Sequence, residues 1–74
     1  MDNNKFTWGD AIRVVSYAPE NYRPNEVGEI CGLLLIETRE QSLKFNEEIG
    51  IYIYTVEFSD GSDLLIPEKF LLPQ

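Results

Sequence analysis

Residues 51–66 constrain the fold more than any other stretch. Tyr52, Tyr54, Val56 and Phe58 recur at every second position, with Thr55, Glu57 and Ser59 between and after them. A period of two puts one set on the buried face of a strand and the other on its wet face. Asp60-Gly61 follows at once, then Ser62-Asp63 and the apolar Leu64-Leu65-Ile66. Asp-Gly between two such runs marks a β-hairpin, because both residue types tolerate positive φ.

The remaining strands are read around that hairpin. The Gly9-Asp10 turn pair precedes Ala11-Ile12-Arg13-Val14-Val15-Ser16, whose β-branched character predicts a first strand over residues 11–16. Residues 17–28 hold Pro19, Pro24 and Gly28 and read as a long loop, since prolines that close forbid a regular helix or a central strand. Residues 29–36 read as the second strand, with Gly32 marking a bend or bulge. Residues 37–50 are polar and read as a second long loop with at most a half-turn of helix. Within it, Leu43 and Phe45 alternate around Lys44 as if extending a flanking strand. The third strand covers residues 51–59 and the fourth residues 64–66. Pro67-Glu68-Lys69-Phe70 is a single 3₁₀-type turn, and Leu71-Leu72 closes the chain as a fifth strand. No internal repeat, low-complexity tract or linker interrupts residues 1–74, so one all-β domain without a full helix is expected.

Size and charge narrow the chemistry. A chain of 74 residues has a thin core, and one Cys with no His leaves neither an intrachain disulfide nor a Cys/His zinc site to staple it. A compact barrel with nearly all strands paired is an economical answer. Thirteen Asp and Glu against six Lys and Arg give a formal charge of -7. That argues against nucleic acid and against anionic membrane surfaces as partners. The opening Met1-Asp2-Asn3-Asn4-Lys5-Phe6 has no basic n-region or apolar h-region, and Leu33 to Ile36 is far too short to span a bilayer. With a single Cys, these features point to a reducing cytoplasm.

The parts of an enzyme are missing from the sequence. Without His, a Ser-His-Asp arrangement is impossible and Cys31 has no ordinary base, so Cys31 reads as a small buried hydrophobe within a strand. Asp60 supplies the hairpin turn and Asp63 reads as solvated; their spacing does not fit a calcium loop. The glycines at 9, 28, 32, 50 and 61 are scattered and form no phosphate cradle. No cofactor is expected, and the activity left is binding.

Gly9-Asp10-Ala11-Ile12-Arg13-Val14, the later Glu26-Val27-Gly28-Glu29-Ile30, and the ending Tyr54 to Ser62 with Ile66-Pro67 and Leu71 resemble small SH3-like barrels. That resemblance implies a five-stranded SH3-like β-barrel with at most a short 3₁₀ turn before its last strand. Arg13-Val14-Val15, Pro19-Glu20-Asn21-Tyr22 and Asn25-Glu26-Val27-Gly28 are similar to the small E-type barrel proteins of the photosystem I reaction centre. Membership there would imply an accessory role in an electron-transfer complex. That group offers basic residues to an acidic ferredoxin, whereas this acidic chain repels such a partner. In pattern and charge the chain also resembles small bacterial toxin-immunity proteins of SH3-like fold, which neutralise a cognate toxin by binding it.

The expectation is therefore a monomeric, acidic, non-enzymatic inhibitor of a basic protein; the alternatives are an accessory subunit of an electron-transfer or other enzyme complex, and a structural or regulatory domain with another partner. Candidate contacts lie on the two long loops. Glu37, Glu40, Glu47 and Glu48 are the charge donors, and Arg23 sits at the tip of the Pro19–Pro24 loop, where it can reach a partner. Trp8, Tyr17 and Tyr22 are the candidate aromatic anchors, since Trp and Tyr most often carry interfaces. A proline-peptide groove would need these rings clustered; the plainer reading has Trp8 covering one barrel end. Arg13 is expected to face outward and pair with Glu29 or Glu57.

Overall fold

A computed structural model describes residues 4–74. Its elements are β1 (Ala11–Val14), a 3₁₀ turn (Glu20–Tyr22), β2 (Val27–Leu35), α1 (Arg39–Phe45), β3 (Tyr52–Phe58), β4 (Asp63–Pro67), a second 3₁₀ turn (Glu68–Phe70) and β5 (Leu71–Pro73). The five strands form one antiparallel sheet in the order β4-β3-β2-β1-β5. The five-strand, all-β expectation holds. The sheet is open, because edge strands β4 and β5 form no ladder with each other and are joined only through the second 3₁₀ turn. Both edges carry a proline, Pro67 and Pro73. Proline has no N–H to offer a foreign strand, so both edges are blunted against pairing.

The period-two face of β3 is the heart of the core. Tyr54, Val56 and Phe58 are buried with Ile12, Val14, Ile30, Ile66 and Leu71, and Phe6, Val15 and Ala18 close the cluster. Each large apolar side chain among them contributes roughly 1.5–3 kcal/mol on burial. The hairpin between β3 and β4 turns through Ser59-Asp60-Gly61. Gly61 takes φ +86° and donates its N–H to the Phe58 carbonyl, while Phe58 donates to Ser62. Only the glycine of the Asp-Gly pair uses positive φ, as a three-residue hairpin loop requires. The bend expected at Gly32 is a β-bulge: the β2–β3 register jumps between Ile30 and Gly32.

Residues 37–50 depart from expectation. They hold α1, a full helix of seven residues, and Leu43 and Phe45 lie on it rather than on a strand extension. Thr38 is the reason. Its hydroxyl accepts from the Gln41 N–H at 3.1 Å, and the Gln41 side-chain oxygen accepts from the Thr38 N–H at 3.1 Å, closing a capping box. Asn46 stops the helix in the left-handed region at φ 54°. The excursion is tied off at its base, where Ile36 donates to Ile51 at 2.9 Å and Gly50 donates to Ile36 at 2.8 Å.

Candidate functional site

The α1 excursion is built unlike the rest of the molecule. No residue of α1 is buried, so the helix adds little to the core. Of its two apolar side chains Phe45 is half-buried, whereas Leu43 is 75% exposed; Ile49, just beyond the helix, is 59% exposed. Glu37, Glu40 and Glu48 are exposed on the same segment. A cleft of about 410 Å³ opens between the last turn of α1 and the second 3₁₀ turn, walled by Leu43, Asn46, Glu47, Glu48, Ile51 and Lys69. Ser42 Oγ donates to the Glu47 carbonyl, and Glu47 Oε2 lies 3.0 Å from Lys69 Nζ. Glu47 is thus drawn into an internal ion pair and is not a free charge donor; its side chain is only 10% exposed.

A second acidic feature emerges from strand register. Glu29 stands opposite Glu57, and Glu57 stands opposite Asp63, so three exposed carboxylates line up across β2, β3 and β4. Among the described residues none of the three enters an ion pair. Like charges directly opposite one another weaken a sheet. Glu57→Lys, which puts a cation at the centre of the row, is therefore expected to raise the urea midpoint, and more at low salt than at high. A lower midpoint indifferent to salt would show that the row costs nothing.

The other candidates are placed differently from expectation. Trp8 does not cover a barrel end; it is 68% exposed at the tip of a turn in which Thr7 N–H donates to Asp10 Oδ2 at 2.9 Å. Phe6 takes the buried position in that segment, edge-on to Tyr54 with ring centroids 5.5 Å apart. Tyr17 is 75% exposed, while Tyr22 is half-buried on Phe70 at 5.4 Å. Among the described residues neither Trp8 nor Tyr17 stacks on another ring, so the three rings build no shared groove.

Arg23 turns inward instead of reaching out. Its Nη2 lies 2.7 Å from Glu26 and 3.2 Å from Asp60, its Nη1 donates to Ser62 Oγ at 2.6 Å, and its guanidinium sits 4.2 Å from the Phe58 ring centre. Hydrogen bonds from the Ser62 hydroxyl and N–H, then from Arg23, hold the Asp60 carboxyl well below the usual carboxylate range. This clasp fastens the loop over residues 15–26 to the β3–β4 hairpin. Arg13 faces outward as expected, but it hydrogen-bonds Gln74 Oε1 and the Asn25 carbonyl rather than Glu29 or Glu57.

Cys31 lies at the bulge and is half-buried, not fully buried. Burial pushes its thiol pKa up, and Glu57, Asp63 and Glu29 push it further, which disfavours the nucleophilic thiolate. Among the described residues no three His, Cys, Asp or Glu side chains converge as a metal-binding group, and no helix is long and apolar enough to cross a membrane. Comparison with protein-family models, curated proteins and solved structures returns no match to this chain.

Proposed function

We propose that this chain is a small, acidic, non-enzymatic binding module of SH3-like type. It acts as an immunity-type inhibitor, as a monomer in the cytoplasm, and binds one basic partner protein through the α1 excursion. One observation carries this reading: Leu43 and Ile49 stand exposed on the segment that also exposes Glu37, Glu40 and Glu48. Apolar anchors ringed by charge are the anatomy of a protein interface. A helix with no fully buried residue, and with Phe45 only half-buried, gives the core little. The Glu29–Glu57–Asp63 row adds long-range attraction for a basic surface, which speeds encounter more than it tightens the complex.

Capture from lysate of the cell that makes the protein, followed by purification of the complex, tests this. The retained protein is expected to be basic, to bind in a 1:1 complex, and to bind about tenfold more weakly as salt rises from about 0.05 to 0.5 M. A partner of neutral or acidic charge whose affinity ignores salt would contradict the proposal.

A further inference from the structure

The cleft beside α1 has a division of labour that names what it takes. Its apolar wall is Leu43 and Ile51, and its acidic wall is Glu47 and Glu48. The Glu47–Lys69 pair is lopsided: the carboxylate side chain is 10% exposed, the lysine side chain 59%. Both line the cleft, the carboxylate nearly covered and the lysine reaching into solvent. Lys69 Nζ also lies 5.1 Å from the Phe70 ring centre, outside the cleft lining, so the Glu47 carboxylate is the seat that a cation already fills. The C-terminal end of α1 adds its partial negative charge beside that seat. Because Glu47 is nearly buried, Lys69 leaves it at low cost only when another cation takes its place.

Resting on the basic-partner reading above, we propose that the cleft receives an aliphatic side chain followed by arginine in an extended segment of the partner. Lys69 occupies the cation seat in the free protein. The aliphatic side chain lies on Leu43 and Ile51. The arginine fork addresses Glu48 and, in competition with Lys69, Glu47. Arginine suits the seat better than lysine because its planar fork carries five donors and bonds a carboxylate bidentately.

The test is an NMR titration of the isotope-labelled full chain with three short synthetic peptides, alike except for a central Leu-Arg, Leu-Gln or Ser-Arg pair. The Leu-Arg peptide is expected to shift the amides of Leu43, Asn46, Glu48 and Ile51 and to bind about fivefold tighter than either control. Lys69→Gln is expected to tighten it about threefold. Leu43→Asp, at an exposed position that leaves the spectrum dispersed, is expected to abolish it. Equal binding of Leu-Arg and Ser-Arg, or weaker binding to Lys69→Gln, would overturn the proposal. Shifts centred on Glu29, Glu57 and Asp63 would overturn it too, while leaving the charge-driven partner reading in place.

Discussion

Replacing Gly28 with alanine is expected to remove a large share of the protein's stability. Gly28 lies in β2, facing Ile12 of β1 on one side and Phe58 of β3 on the other. A Cβ there would sit 2.6 Å from Val56 Cγ1 and 2.8 Å from the Glu57 carbonyl oxygen. The second contact is with backbone, so strand β3 itself must move away. Forced shifts of this kind cost about 1–3 kcal/mol and at times more. A domain this size has only about 4–11 kcal/mol in all, from roughly 0.05–0.15 kcal/mol per residue. Gly32 makes the comparison: its Cβ would meet the Thr55 hydroxyl at 2.9 Å, which can rotate away, and the Thr55 Cβ at 3.2 Å, which need give by only a few tenths of an ångström. Urea unfolding should therefore show Gly28→Ala to be at least about twice as damaging as Gly32→Ala. Equal losses would mean that β2 and β3 are not held this close together at Gly28.

Tyr54→Phe is expected to be the costliest loss of a single oxygen. The Tyr54 ring is buried, and its hydroxyl accepts from the backbone N–H of Lys5 at 3.0 Å and of Phe6 at 3.2 Å. It donates in turn to Glu68 Oε2. The hydroxyl thus fastens the segment before β1 to the turn before β5. Removing it leaves the Phe6 N–H buried without its acceptor, at a cost of about 1–3 kcal/mol.

The same site makes stability depend on alkaline pH. Burial, followed by the hydrogen bond to Glu68, pushes the Tyr54 phenol from 10.0 up to about 12. The folded chain therefore holds this proton over a range in which the unfolded chain has released it. The stabilisation is complete below pH 10 and is lost as pH rises toward 12, by on the order of 1–2 kcal/mol once solvent screening is allowed for. Urea titrations between pH 9 and 12 should show this decline in the wild type and a shallower one in Tyr54→Phe. Parallel declines would remove Tyr54 as its source.

The hairpin was legible because two local signals agreed. The alternation of Tyr52 to Phe58 fixed the buried face, and Asp60-Gly61 fixed the turn. The helix was written in the sequence as well, in the Thr38-x-x-Gln41 box and in Asn46. It was masked by the two-residue spacing of Leu43 and Phe45, which imitates a strand. Register hid the acidic row: the bulge at Cys31 resets the β2–β3 pairing, so no local pattern tells that Glu29 meets Glu57. The fate of Arg23 was only partly local: Glu26 lies three positions on, but Asp60 lies 37 positions away. Charge and the polar stretch did locate the excursion. They did not show that Glu47 would be drawn into a pair with Lys69.

Calorimetric titration of the purified basic partner against two triple variants tests the central claim most directly. One variant reverses Glu37, Glu40 and Glu48 on the excursion, and the other reverses Glu29, Glu57 and Asp63 on the sheet. Both change the net charge equally, so a difference between them reports where the partner sits. The excursion variant is expected to lose about a hundredfold in affinity, and the sheet variant about tenfold or less, mostly through slower association. An excursion variant within about twofold of the wild type, or a sheet variant that loses more, would contradict the account.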